Sequence, residues 1–272
     1  MAIPRALTPS GLVLVDKPVG PSSFQVVSRL RTRTGARAGH AGTLDPFASG
    51  LLLVLLGAST RLARYLVGLD KRYVTEIDLC RRTATGDIEG ERIEEREAPD
   101  PAQLEQLLEG FRGEVELPIP AYSAVKIDGE RAYRLARKGK APEMPLRRSR
   151  IDELSLLDYS NGVARLDLRV GSGTYVRAIA DALGGHCLTL RRLEVGPFSV
   201  DAADEERVVP PAQALSFMPA LELNEEEVTA MRAGRALERS EQGRLLLLDS
   251  GNLIGVGNGE DGTVRSETVM PA

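Results

Sequence analysis

Arg37-Ala38-Gly39-His40-Ala41-Gly42-Thr43-Leu44-Asp45-Pro46-Phe47-Ala48-Ser49-Gly50 runs directly into the apolar block Leu51-Leu52-Leu53-Val54-Leu55-Leu56. Three glycines and a proline between Ala36 and Gly50 predict a loop. The six apolar residues behind it predict a buried strand, because no polar residue breaks the run. An aspartate followed by proline amid glycines can present a carboxylate on a stiff turn, with backbone free to approach a ligand closely. Taken alone, such an Asp-Pro pair is ordinarily a turn or a cap.

Upstream, Gly11–Val15 reads as a strand that Asp16-Lys17-Pro18 stops. A serine-capped helix follows from about Ser23, with Phe24, Val27 and Leu30 at helical spacing and Gly35 as its end. Downstream, Ser59 is expected to cap a short helix carrying Leu62, Tyr65 and Leu66. Tyr73–Cys80 alternates with period two, placing Tyr73, Thr75, Ile77 and Leu79 on one face. Asp100-Pro101 with Gln103 predicts a helix start. Glu130–Lys138 predicts a basic helix ended by Gly139, and Ala164–Val170 a half-buried strand. Gly171-Ser172-Gly173 then leads into a helix from about Thr174 to Leu183, and Leu188–Leu193 into another strand. Beyond Pro210-Pro211 the composition turns acidic, which suggests a boundary near residues 205–225. Asn224 before three glutamates caps a helix, and Asp249-Ser250-Gly251-Asn252 between apolar runs predicts a hairpin. Strands and helices interleave without a regular βαβ rhythm, so the class is α+β.

Apolar residues make up 42% of the 272 and charged residues 27%, the balance of a folded chain. No apolar run approaches the roughly 18 residues of a transmembrane helix, and no signal-peptide pattern opens the sequence; the cytoplasm is the expected compartment. Cys80 and Cys187 lie far apart without a CxxC, and His40 and His186 are the only histidines, a poor supply for a zinc centre. The net charge of −4 conceals segregation. Residues 1–72 carry ten Lys/Arg against three Asp/Glu, and 111–150 carry ten against five. Residues 73–110 carry four against eleven, and 201–272 six against fourteen. Two basic blocks on an acidic background are compatible with a local polyanion site, and equally with solvated helix faces. No nucleotide-binding GxxxxGK[ST] or GxGxxG, and no HExxH or GxSxG, occurs.

The string GHAGTLDPFASGLLLVLLGASTR resembles the catalytic motif of the TruB family of tRNA pseudouridine synthases. GLVLVDKPVGPSS, DKRY, PAYSAVKIDGERAYRLARKG, GSGTYVRAIADALG and LRRLEVGPF resemble further motifs of that family, in family order over residues 11 to 200. The resemblance implies a mixed, largely antiparallel sheet flanked by helices over residues 1–210, the pseudouridine synthase fold. A short PUA-like β-rich domain is expected over 220–272. It further implies isomerisation of uridine to pseudouridine at position 55 of the tRNA T loop, with neither cofactor nor metal. No heptad or long exposed apolar helix demands a dimer, so a monomer needing no protein partner is expected. Asp45 matches the nucleophile, Arg177 the arginine that holds it, and Tyr73 the aromatic that stacks on the target base and is proposed to move a proton. Leu190 matches the apolar residue on the other side of the pocket. His40 matches the histidine that fills the gap left by the flipped nucleotide.

Lys17 is expected to contact phosphate or to support the loop. Arg37 and Lys126 belong to the basic stretches 29–37 and 126–150, assigned to the tRNA backbone. The sequence departs from the family pattern at Ala41, at Ala84, where an acid is usual and its role is either absent or moved to Asp87, and in the shortened passage Leu183–Leu190, which contains His186. The rival readings are a guide-dependent pseudouridine synthase and a non-catalytic tRNA-binding or tRNA-folding protein on the same scaffold.

Overall fold

The apolar block occupies a strand whose two faces enter two different cores. The computed structural model describes residues 9–123, 125–127, 129–137 and 142–271. β1 (Gly11–Lys17) and β2 (Ala38–Ala41) both pair antiparallel with β3 (Ser49–Leu56). Leu52, Val54 and Leu56 of β3 join Val13 and Val15 in one core, which α1 (Ser23–Thr34) closes with Val26, Val27 and Leu30. Leu51, Leu53 and Leu55 join Leu12 and Leu14 in the second. That face is covered by Leu62, Tyr65 and Leu66, from a 3₁₀ turn (Gly57–Leu62) and α2 (Ala63–Val67). An unbroken apolar run is what a strand buried on both sides requires. Each fully buried leucine contributes roughly 2 kcal/mol.

Further along come β4 (Lys71–Asp78), β5 (Arg81–Thr83), β6 (Arg92–Glu95), β7 (Gly113–Pro118), β8 (Lys126–Ile127), β9 (Glu130–Arg131) and β10 (Leu146–Ser160). They are followed by β11 (Val163–Val170), β12 (His186–Val195), β13 (Phe198–Ser199) and β14 (Asp204–Val209). The large sheet runs β14-β1-β3-β12-β4-β11-β10-β7, with β2 on β3 and β13 on β12. Its β12–β3 contact is parallel and its other pairings are antiparallel, the mixed and largely antiparallel α+β sheet expected. Tyr73, Ile77 and Leu79 point into the first core, as the period-two pattern demands. The capping box of Asp100 and Gln103 starts α3 (Pro101–Glu109), and α4 (Ala132–Arg137) and α5 (Val176–Ala182) follow.

Past α6 (Pro211–Ala214), a second sheet forms from β15 (Ala220–Glu222), β16 (Leu237–Glu238), β17 (Gly243–Asp249), β18 (Asn252–Glu260) and β19 (Thr263–Val269). The Asn224–Glu227 capping box opens α7 (Glu225–Arg232) beside it. Leu246, Val256 and Met270 of this unit complete the second core. Tyr65 Oη lies 2.6 Å from Thr268 Oγ1, and the Arg244 guanidinium lies 5.3 Å from the centre of the same ring. The C-terminal sheet is therefore docked on the back of β1 and β3.

Four local expectations are corrected. Phe24 faces solvent: the capping Ser22 turns α1 so that Val26 shares the buried face with Val27 and Leu30. Ser59 is not a cap, because its hydroxyl lies 3.0 Å from that of Ser10 within the 3₁₀ turn. The stretch 36–50 is not all loop, since β2 occupies Ala38–Ala41 and sets His40 opposite Val54. The basic helix begins only at Ala132, after Glu130 and Arg131 have paired in β9; Lys138 and Gly139 lie outside the described residues.

Candidate active site

Asp45 stands on a turn that three separate elements hold. From α1, Ser23 Oγ accepts the Leu44 N–H at 2.8 Å and donates to the Leu44 carbonyl at 2.9 Å. From β1, the Lys17 ammonium donates to the carbonyls of Pro18 and Pro21 at 2.9 Å and of Pro46 at 3.4 Å. From β12, Arg192 donates through Nε to Leu51 O at 2.7 Å, through Nη2 to Gly42 O at 3.1 Å and through Nη1 to Thr43 O at 3.4 Å. Gly50 makes the last approach possible. Its φ is +101°, and a Cβ there would sit 2.2 Å from the Arg192 carbonyl oxygen. The loop is thus a strapped turn.

The Asp45 carboxylate meets Arg177, with Nε 2.9 Å from Oδ2. The arginine side chain is 4% exposed and the aspartate side chain 37%, so the carboxylate opens to the cleft while its partner is enclosed. The guanidinium is fully engaged. Nη1 donates to Thr85 O at 2.7 Å, Nη2 donates to Tyr122 O at 3.0 Å, and Asp87 Oδ2 lies 3.5 Å from Nη1. Asp87 is itself buried and accepts from Thr85 Oγ1 at 2.5 Å and from the Glu89 N–H at 3.1 Å. Asp87, three residues after Ala84, is thus a second carboxylate on the arginine.

Around the ion pair lies a cleft of about 860 Å³ whose wall includes His40, Tyr73, Leu190, Lys71, Arg147 and Arg192. Tyr73 on β4 and Leu190 on β12 are both buried and reach it from neighbouring strands. His40 carries a buried Nδ1 with no hydrogen-bond partner among the described residues. Burial, with Arg192 nearby, lowers its pKa, so the ring is neutral at pH 7. Lys71 donates to the Val67 carbonyl at 2.6 Å, and burial pushes its ammonium down to about 8. Among the described residues, no three His, Cys, Asp or Glu side chains stand close enough to hold a metal ion.

Of the residues singled out from sequence, Asp45, Tyr73, Arg177, His40 and Leu190 converge on this cleft. Lys17, Arg37 and Lys126 do not line it. Lys17 is fully buried with its ammonium spent on carbonyls, which leaves the loop-supporting half of its expected role and removes phosphate contact. Arg37 and Lys126 are exposed elsewhere. In the first basic stretch, Arg29 pairs with Glu205 and Arg33 Nη1 with Glu206 at 2.7 Å, so β14 already compensates two of its charges. His186 begins β12 directly after Gly184-Gly185, and its Nδ1 lies 2.9 Å from the Arg81 carbonyl oxygen. The shortened passage is a two-glycine turn with no loop beside the cleft. Arg192, Lys71 and Asp87 escape sequence reasoning as site residues; the one available signal is Asp87's nearness to the acid position vacant at Ala84.

Residues 29–176 match the family described as TruB family pseudouridylate synthase, N-terminal domain. The tRNA pseudouridine synthase B of Leifsonia xyli subsp. xyli is 41% identical over 255 residues, 84% of this chain and 83% of the relative. That of Gluconacetobacter diazotrophicus is 36% identical over 296 residues, 96% and 97% of the two chains. Among solved structures, an H/ACA ribonucleoprotein bound to a substrate RNA containing 2′-deoxyuridine has a chain that superposes with a TM-score of 0.71. It shares 20% identity and aligns over 96% of this chain and 85% of that one, a likeness of fold.

Proposed function

The chain belongs to the TruB family of pseudouridylate synthases and isomerises uridine in tRNA to pseudouridine; from that premise we infer that its target is position 55, in the T loop. The observation that carries the reading is the Asp45–Arg177 pair at 2.9 Å, open on the carboxylate side to a cleft walled by Tyr73 and Leu190. The reaction replaces the bond from C1′ to N1 by one from C1′ to C5, moving a proton off C5 and one onto N1, so no external oxidant or reductant is needed. Asp45 is the nucleophile that adds to the nucleotide. An arginine held by two carbonyls and Asp87 keeps that carboxylate aimed.

The target base must leave the T-loop stack to reach Asp45. In this reading Tyr73 and Leu190 sandwich the flipped base, and Tyr73 serves the proton transfer at C5. His40 fills the vacated place in the stack: a flat, neutral ring at the rim of the cleft suits that position. Lys17 and Arg192 act through the turn that carries Asp45. Residues 1–210 form the catalytic unit and 220–272 an RNA-binding appendage, the whole working as a monomer without a protein partner or guide RNA. The cytoplasm, where tRNA is processed, is the compartment this implies.

The test is incubation of the purified protein alone with an unmodified tRNA transcript, followed by mapping of pseudouridine at single-nucleotide resolution. One pseudouridine at position 55 is expected. No conversion, with tRNA still bound, would favour a purely binding protein; conversion only when a guide RNA is added would favour the guide-dependent reading.

A further inference from the structure

Two buried hydroxyls and one arginine in the cleft have no task in the chemistry above. Ser123 is 5% exposed, and its Oγ has no hydrogen-bond partner among the described residues. The same holds for the buried Oγ1 of Thr174. A buried hydroxyl left without a partner costs stability, so a fold that keeps two of them in one cleft signals a ligand that completes them. Both line the cleft, and both are tied to Arg177. Ser123 follows Tyr122, whose carbonyl takes Arg177 Nη2, and Thr174 stands three residues before Arg177 in the chain.

Arg147 completes the group. From exposed β10 its guanidinium lies against Gly173, where a Cβ would be 2.2 Å from Nη2. Gly173 has φ +84° and no side chain, so the arginine can reach over the turn into the cleft. Arg148 and Arg150 on the same strand pair with Glu116 and Asp70, whereas Arg147 has no carboxylate partner among the described residues. Of the acids lining the cleft, Asp45 and Asp87 are matched to Arg177, and Glu89 stands exposed to solvent. Lys71 and Arg192, also cations of the cleft wall, are spent on backbone carbonyls, which leaves Arg147 with two hydroxyl donors, a set that fits an anionic oxygen.

We propose that Arg147, Ser123 and Thr174 form a subsite for a phosphodiester adjoining the nucleotide seated at Asp45. This rests on the reading of the cleft as an RNA site, because the phosphodiester is the one anionic group that RNA offers. The subsite positions: it holds the sugar-phosphate chain while the base turns over, and it takes no part in bond making.

The test uses the full chain and a T-arm stem-loop RNA, either natural or with one neutral methylphosphonate on the 5′ or the 3′ side of the target uridine. For the wild type, one of the two replacements lowers kcat/KM by roughly tenfold, the effect of losing a charged hydrogen bond. Arg147→Gln lowers kcat/KM on natural RNA by a similar factor, and the same methylphosphonate then causes no further loss. Ser123→Ala and Thr174→Val raise KM but leave Tm unchanged or higher, since each removes a hydroxyl that is unpartnered in the free protein. A wild type indifferent to both replacements, or losses that multiply in Arg147→Gln, would overturn the subsite. A fall in Tm for both hydroxyl variants would show that the hydroxyls are structural, and would overturn their part in it. Conversion of the natural stem-loop by the wild type is the separate control: its failure would count against the enzyme reading instead.

Discussion

Asp87 Oδ2 lies 3.5 Å from Nη1 of Arg177, so the arginine that meets Asp45 through Nε is held by a second, buried carboxylate through another nitrogen. With the carbonyls of Thr85 and Tyr122, this pins a flat guanidinium in one orientation. A lysine would offer one nitrogen to a site built for three.

Arg177→Lys should therefore lower kcat by about 100-fold, or ~2.7 kcal/mol of barrier, while tRNA affinity stays within about tenfold. Single-turnover conversion and filter binding on the same preparation check it. Near-normal turnover would mean that the arginine supplies only positive charge. Asp87→Asn should cost less, roughly tenfold in kcat, because two carbonyls still hold the guanidinium.

Much of this frame is legible in the sequence because its cause is local. The Asp100–Gln103 and Asn224–Glu227 capping boxes, the alternation of β11 and the Asp249–Asn252 hairpin each follow from residues that touch their near neighbours. Asp45, Arg177, Tyr73, Leu190 and His40 could be singled out only because their motifs resemble a family. What escaped has long-range causes. In β12 the doublet Arg191-Arg192 splits across the sheet: Arg191 pairs with Asp16 at the surface, and Arg192 is buried against the turn that carries Asp45. No local pattern says which is which. Arg29 finds Glu205 from 176 positions away, so charge counting alone overstated the free charge of the first basic stretch.

That pairing leads to a prediction about salt. Replacing Arg29 and Arg33 by Gln should leave the slope of log affinity against log salt unchanged, because Glu205 and Glu206 already neutralise them. Arg147→Gln should reduce the slope by about one, as one phosphate contact is lost. A flattened slope in the Arg29 and Arg33 variant would show that tRNA displaces the two glutamates.

Lys17→Met tests the strap beneath Asp45. It leaves the carbonyls of Pro18, Pro21 and Pro46 without their shared donor, and should lower stability by about 2 kcal/mol. It should reduce kcat with little change in KM, since the ammonium is spent on three carbonyls and does not line the cleft. A rise in KM alone would place Lys17 on the substrate. Chemical denaturation and steady-state kinetics separate the outcomes.

His40 makes stability depend on pH in a defined direction. Its folded pKa lies below 6.5, chiefly through burial, whereas the unfolded chain titrates near 6.5. Below that value the unfolded state takes up a proton that the folded state refuses, so this group's contribution to stability is present above 6.5 and is lost as pH falls. The fall in stability from pH 7 to 5 should be smaller in His40→Gln than in the wild type. NMR titration of the ring should give a midpoint below 6.5; a midpoint above it would contradict the burial argument.

The most direct measurement is turnover by Asp45→Asn, assayed on unmodified tRNA beside its affinity for the same tRNA. The substitution keeps the size of the side chain and removes the carboxylate facing the cleft, the proposed nucleophile. The expected result is no detectable pseudouridine at position 55, with affinity within about tenfold of the wild type, or ~1.4 kcal/mol, because the phosphate contacts lie elsewhere. Pseudouridine formed at a rate near that of the wild type would contradict the assignment of Asp45 and the mechanism built on it.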